Sequence, residues 1–324
     1  MKALITGITG QDGSYLAELL LSRGYQVFGL SRDPAHIELS PIQHLKGKVE
    51  LFRGDLLDSH ALLSTFEQIR PDEVYNFAGP GFVGASWNYP IETADYVAIG
   101  VSRLLETIRK VSPRTRFYQA SSSEMFGDAI SAPQNEQSLF RPRTPYGTSK
   151  AYAHWMTANY RNHYGMHASS GILYNHESSR RRPEFVTRKI TIGAARIKMG
   201  LDQELRLGNL DAVRDWGFSG DYVKAMWLML QQDKADDYVV STGEPHTVRE
   251  FVDLAFSRLD LDYREYVKVD ESFYRPNEAV PLIGDSSKAR KILNWEPQVS
   301  FKALVQMMVD ADWAALQKAK PLSP

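Results

Sequence analysis

The chain contains no cysteine. That excludes a disulfide framework, a thiolate nucleophile and a cysteine metal site. It also lacks any stretch of the roughly 18 apolar residues that a membrane-spanning helix requires. Its start, Met1-Lys2-Ala3-Leu4-Ile5-Thr6, runs straight into glycines and does not have the form of a secretory signal, so a cytoplasmic protein is expected. Excess charge of one sign is missing too, with 38 Lys and Arg against 39 Asp and Glu. No nucleic acid and no membrane surface is therefore expected as a partner, although local basic clusters remain able to hold phosphates. Internal repeats, low-complexity tracts and long linkers are absent. The 8 histidines show no metal-ligand spacing, so no metal is expected, and His154, His163 and His167 read as structural. What is present, 324 residues of which 43% are hydrophobic and 24% charged, is the composition of a globular enzyme with one large domain or two.

Short apolar runs alternate with helical patterns from the first residues onward. Lys2 to Thr6 reads as a strand and ends at Gly7-Ile8-Thr9-Gly10-Gln11-Asp12-Gly13; a helical pattern from Ser14 to Leu20 follows, then a second strand at Gln26 to Leu30. A glycine turn between strand and helix lets backbone approach a pyrophosphate, and the helix start offers free N–H groups to it. Arg32, after the second strand, stands where the adenosine ribose should lie and favours NADP over NAD, although Asp33 follows it. A third strand over Leu51 to Leu56 ends at Asp55, which suits either an adenine amino group or a helix cap. The fourth, Glu73 to Phe77, runs into the small residues Ala78 and Gly79. A helix is expected at about Thr93 to Ile108, a fifth strand at Arg116 to Ala120 and a sixth at His167 to Tyr174. The spacing predicts an α/β fold, a doubly wound parallel sheet of Rossmann type. The glycine turn, Asp55, Ala78 and the serines after the fifth strand should face one crevice at the strands' carboxyl ends.

The stretch from Ala120 to Lys150 carries the reactive groups. Ser122, Ser123 and Glu124 follow the fifth strand, and Tyr146 and Lys150 stand at i and i+4 on one face of the next helix, with Tyr152 and Trp155 as packing residues. A tyrosine hydroxyl titrates near pH 10, but a lysine ammonium one turn away and a cofactor cation would lower it. Hydroxyl, tyrosine and lysine beside a dinucleotide imply an alcohol oxidation or a ketone reduction. A carboxylate adds more: once one carbon is oxidised, its neighbour's proton becomes acidic, Glu124 can remove it, and a hydroxyl one carbon further can leave as water.

From Ser179 the composition changes. Arg180-Arg181-Arg182, Arg188-Lys189, Arg214-Asp215-Trp216 and Arg275-Pro276-Asn277-Glu278 are groups suited to a nucleoside diphosphate. Residues 1–178 are expected to form the dinucleotide domain and residues 179–324 a smaller mixed lobe, with some strands or helices free to return to the first. Tyr238 to Thr242 reads as a strand, and the helices at Val248 to Leu259 and Phe301 to Leu316 complete the lobe.

These residues resemble the GDP-mannose 4,6-dehydratase family of extended short-chain dehydrogenases. The likeness spans nearly the whole chain and rests on Gly7 to Leu16, Tyr118 to Gly127, Asn175-His176-Glu177-Ser178, Phe185 to Lys189, Leu207-Gly208-Asn209, Arg214 to Gly217, and Arg275-Pro276 with Glu278. The resemblance implies a lyase that converts GDP-mannose to GDP-4-keto-6-deoxymannose. Ser122 takes the place of a usual Thr, Glu124 is the carbon-5 base, Tyr146 and Lys150 complete the set, and Ser123 assists at the leaving hydroxyl. It further implies NADP against Gly7 to Gly13, Arg32, Asp55, Leu56, Lys150, His176 and Arg181, with Phe77, Ala78 and Gly79 beside it. A GDP-sugar would lie against Ser86, Asn175, Lys189, Arg214, Arg275 and Glu278. A homodimer or homotetramer built on the helices at about 93–108 and 146–164 is implied as well.

The chain departs from the family where Ala-Ala-Gln-Ser is usual and it reads Ala78-Gly79-Pro80-Gly81, at Ser179 and Arg182, and at Arg32-Asp33 in place of paired arginines. A trimmed wall suits a larger sugar, so GDP-manno-heptose stands as an alternative substrate. A GDP-4-keto-6-deoxymannose reductase and a non-catalytic NADP sensor on the same fold stand further off.

Overall fold

The structure, a computed structural model of the chain, describes residues 1–34, 41–273 and 280–319. Its short apolar runs become β1 (Lys2–Thr6), β2 (Gln26–Ser31), β3 (Glu50–Arg53), β4 (Glu73–Asn76), β5 (Arg116–Ser122) and β6 (Ala168–Leu173). The later strands are β7 (Asn175–Glu177), β8 (Leu205–Leu207), β9 (Val213–Phe218), β10 (Asp237–Val240), β11 (Pro245–Thr247) and β12 (Val267–Val269). One parallel sheet of 7 strands runs β3-β2-β1-β4-β5-β6-β10, with the order reversing at β1 as in a doubly wound fold. Strands covered on both faces read as continuous apolar runs, and β4 and β6 are buried along their whole length. Smaller sheets, β11-β9-β7 and β12-β8, lie beside it.

The helices are α1 (Gln11–Ser22), α2 (Ser59–Ile69), α3 (Pro90–Ala94), α4 (Gly100–Val111), α5 (Pro145–Tyr164), α6 (Val186–Lys198), α7 (Ser219–Gln231), α8 (Val248–Ser257), α9 (Tyr263–Tyr266), α10 (Ser287–Leu293) and α11 (Phe301–Ala319). On one sheet face, Leu16 and Leu20 of α1 pack with Met226, Met229 and Leu230 of α7 and Leu293 of α10. On the other, Leu62 and Phe66 of α2, Leu104 and Ile108 of α4 and Ala153 of α5 form a second core. A third core joins Ile190 of α6, Phe251 of α8 and Leu304 and Met308 of α11 around Trp216.

The structure differs from expectation in two elements. The helix expected over 93–108 is broken by a π turn at Asp95–Ile99, which joins α3 to α4 and sets the Tyr96 hydroxyl 2.8 Å from Asp55. The strand at Tyr238–Thr242, expected in the smaller lobe, pairs with β6 in the main sheet as β10. The connection through α7 carries the chain back because the apolar side of α7 is needed to cover α1 and the sheet.

Candidate active site

At the end of β1 the backbone turns at Gly7, whose φ is +70°. A Cβ there would lie 3.0 Å from both the Ala78 nitrogen and the Phe77 carbonyl carbon, so the turn is closed against the strand beside it. At Gly13 a Cβ would come within 2.5 Å of the Gly7 carbonyl oxygen and 2.6 Å of Ile8 Cα. Only glycine lets α1 start this close to β1. The Gly10 N-cap makes no side-chain hydrogen bond to the first N–H groups of α1, which leaves them to an anion. Gly7, Thr9 and Gly10 to Gly13 line one crevice, with Arg32, Asp55 and Leu56 at one end and Phe77, Ala78 and Gly79 along a side. This cradle fits a dinucleotide.

Asp55 is not a helix cap: Asp58 caps α2, accepting from the His60 and Ala61 N–H groups at 3.0 Å. Asp55 instead accepts from the Leu57 N–H at 2.9 Å and from the Tyr96 hydroxyl at 2.8 Å. Tyr96 in turn accepts from Arg32 at 3.4 Å, and the Arg32 guanidinium lies 5.5 Å from its ring centroid. Arg32, Tyr96 and Asp55 thus form one connected run along this crevice.

A second crevice opens beside the first, and Asp12, Phe77, Gly79, Pro80, Gly81, Phe82, Arg181 and Phe185 line both. Ser122, Glu124, Tyr146 and Lys150 line this second crevice. Ser122, expected in one crevice with Asp55 and Ala78, lines the adjoining one, because β5 stands two strands away from β1. His176 and Lys150 line the second crevice, and His176 meets Asp12, which lines both. Ser123 lines neither, being buried behind the turn. Ser121, on the same strand end, lines the second crevice in its stead.

Lys150 is buried and donates to the Ala120 carbonyl at 2.7 Å. Burial lowers its pKa to about 8, although Asp12 opposes the shift. Its ammonium stands 5.6 Å from the Tyr146 ring centroid. The lowering expected of Tyr146 was that of this lysine together with a cofactor cation. Burial, aided by the Glu124 carboxylate, raises Tyr146 to about 12, while a hydrogen bond with Ser122 pulls the other way. The serine hydroxyl also accepts from the Glu124 N–H at 3.2 Å, so one side chain touches both groups.

Asp12 links this crevice to the glycine turn. Its carboxylate accepts from Ser219 at 2.8 Å and faces His176 Nε2 at 2.8 Å. Burial pushes the Asp12 carboxyl up, but His176, Ser219 and Arg181 outweigh it and hold it at about 2. Gln11 extends the net, donating to the His176 carbonyl at 3.0 Å and accepting from Ser178 at 2.7 Å.

Toward the smaller lobe, Asn175, Lys189 and Arg214 line the second crevice as expected. Burial lowers the pKa of Lys189, opposed by Asp270, and its ammonium sits 4.1 Å from the Phe273 ring centroid. Ser86 does not reach the crevice; its hydroxyl donates to the Val83 carbonyl at 2.7 Å. Arg275 and Glu278 lie outside the described residues. Among the described residues no group of His, Asp and Glu is placed to hold a metal, and no helix is long and apolar enough to cross a membrane. Tyr152 and Trp155 line neither crevice, and Trp155 packs on Phe140 with a centroid distance of 5.7 Å.

Residues 4–308 match the family model for GDP-mannose 4,6 dehydratase. The chain is 52% identical to GDP-mannose 4,6 dehydratase 2 of Arabidopsis thaliana over 332 residues, 99% of this chain and 89% of that protein. The chain belongs to the GDP-mannose 4,6-dehydratase family. Solved structures agree on the fold. The UDP-glucose 4-epimerase of Thermotoga maritima superposes with a TM-score of 0.87 at 23% identity, covering 98% of this chain and 100% of that one. The dTDP-glucose 4,6-dehydratase of Bacillus anthracis does so at 0.84 and 20%, covering 98% of each.

As a member of the GDP-mannose 4,6-dehydratase family the chain is an enzyme, a nucleotide-sugar 4,6-dehydratase. Besides Ser121, sequence reasoning missed Tyr96 and Ser219, which hold the crevice carboxylates Asp55 and Asp12. Tyr96 lies in an apolar helical pattern and reaches Asp55 only because of the π turn. Ser219 begins α7 and meets Asp12 across 207 positions of chain, a separation at which no local spacing gives a signal.

Proposed function

We propose that the chain converts GDP-mannose to GDP-4-keto-6-deoxymannose by internal hydride transfer and loss of water, with NADP as its cofactor. The observation that carries this is Glu124 in one crevice with Ser122, Tyr146 and Lys150, against the dinucleotide cradle. When bound, the cofactor supplies an acceptor and later donor for the hydride, and a positive charge that opposes the rise of Tyr146. Tyr146 takes the carbon-4 hydroxyl proton, and Ser122, bonded to it, orients that hydroxyl. Lys150, held by the Ala120 carbonyl and near pKa 8, stays mostly charged at pH 7 and favours the tyrosinate. Glu124 removes the carbon-5 proton once carbon 4 is a ketone, and the carbon-6 hydroxyl leaves as water. Asn175, Lys189 and Arg214 receive the nucleotide, the cations facing its diphosphate.

Arg32, beside Tyr96 at the adenosine end, supports NADP over NAD through pairing with a ribose phosphate. The relatives, named for GDP-mannose, support the hexose over the heptose. Large side chains exposed near α3, the π turn and α5, among them Ile91, Ile99, Tyr152 and Trp155, support a homodimer or homotetramer. The test of the reaction is Glu124→Gln with GDP-mannose, followed by mass. Loss of water should fall by roughly two to four orders of magnitude, the usual contribution of a positioned acid or base. Undiminished dehydration by this variant would sink the assignment and return the chain to the reductases.

A further inference from the structure

The reaction proposed above, on which this inference rests, leaves its cofactor reduced partway through every turnover. The sugar gives up a hydride and a proton at carbon 4, a proton at carbon 5 and a hydroxide at carbon 6. The hydride then returns to carbon 6 and a proton to carbon 5, so only water is lost. The sequence balances only if cofactor and oxidised sugar stay together between the two transfers.

At the junction of the two crevices stand aromatic side chains that the chemistry above does not use. Phe82 and Phe185 each line both crevices. They come from opposite sides, Phe82 from the turn after β4 and Phe185 from the loop between β7 and α6. Their rings meet edge to face, with centroids 5.5 Å apart and planes at 81°. Phe185 is braced: the Arg181 guanidinium covers its ring at 3.5 Å, and Arg181 pairs with Glu177 at 3.2 Å. Phe82 follows the turn Gly79-Pro80-Gly81. Gly79 has φ +132°, a Cβ on Gly81 would meet nothing within 4 Å, and Gly84 leaves space under the ring, a Cβ there lying 3.3 Å from Phe82 Cε1. The contact between the rings is apolar, so parting them strands no buried donor or acceptor, and closing them sheds water.

We propose that Phe82 and Phe185 form an aromatic clasp over this junction, which retains the cofactor and the oxidised sugar between the two hydride transfers. Both are positioning residues and touch no reacting atom. Retention is read first without sugar, as the dissociation rate of reduced cofactor from the holoprotein, followed by its fluorescence. It is read again during turnover of GDP-mannose, as reduced nicotinamide released into solution. Phe82→Ala should speed dissociation roughly two- to tenfold, the worth of one edge-to-face pair, and should release reduced cofactor with progressive inactivation. Phe82→Tyr should restore both, and Phe185→Leu should behave as Phe82→Ala. A folded Phe82→Ala protein with unchanged dissociation and no released cofactor overturns the clasp, as does a Tyr variant no better than Ala. If Phe82→Ala does not fold, Phe82→Leu and Phe185→Leu decide by the same readouts. Wild-type protein that removes no water from GDP-mannose would sink the dehydratase reading instead, while the dissociation rates measured without sugar still decide the clasp.

Discussion

His176 declares its protonation state by geometry. Its Nδ1 lies 2.7 Å from the Tyr174 carbonyl and its Nε2 2.8 Å from the Asp12 carboxylate, so both ring nitrogens face acceptors. Such a ring is an imidazolium opposite a carboxylate. Burial opposes that charge, but Asp12 raises the His176 pKa above its ordinary 6.5. The sign for Asp12 follows from its depressed pKa, about 2 against an ordinary 3.8. Its contribution to stability is complete above pH 4 or so and fades as pH falls toward 2. Asp12→Asn should therefore cost about 2 kcal/mol at pH 7. In urea melts the gap between variant and wild type should narrow at pH 3; a gap that is constant with pH would contradict the pairing. Residues of this kind were legible where local spacing decides. Tyr146 and Lys150 fall on one helix face, and Ser122 and Glu124 follow a strand end, so they converge. Ser123 and Ser86 were not legible, because the direction of a side chain in a turn is not set by its position in sequence. Burial, which no spacing reveals, raises the Tyr146 pKa in the protein alone.

Between elements, the tightest constraint is the approach of α1 to β1. Gly13→Ala would place a Cβ against backbone that cannot yield, the Gly7 carbonyl and Ile8 Cα. The helix must shift, which should cost roughly 1–3 kcal/mol as other overpacked sites do, and cofactor affinity should fall at least about tenfold as the turn loses its shape. Gly24→Ala is the control: φ is +77° there, so the backbone is strained, yet nothing lies within 4 Å and the crevice is remote. Thermal melts and cofactor titration separate these outcomes; equal cofactor binding by Gly13→Ala and Gly24→Ala would show that the close approach is not what shapes the turn. The strand, glycine turn, helix and strand were readable because each apolar run is short and each break carries a glycine. The π turn was not readable, because the apolar periodicity continues through Asp95–Ile99 without a proline or glycine inside it.

Over the whole molecule, one group of exposed apolar side chains falls near α3, the π turn and α5. Ile91 is 78% exposed, Ile99 38% and Tyr152 41%, and Tyr152 sits beside Ser102 of α4 at 3.2 Å. An isolated monomer rarely leaves such a patch to water. If the proposed oligomer forms through this region, Ile99→Glu combined with Tyr152→Glu should convert it to monomer in light scattering, with the fold retained by circular dichroism. An unchanged mass would move the interface elsewhere. At this scale the parallel sheet and the extra lobe were legible from the order of apolar runs. The return of β10 was not, since the composition of a strand does not name its neighbour. That return has a consequence for how the chain is made. Until β10 emerges from the ribosome, β6 offers a bare edge of unpaired amides and carbonyls, and β10 follows it in sequence by more than sixty residues. The nascent nucleotide-binding half is thus an adhesive intermediate, exposed for as long as the ribosome takes to deliver its last strand.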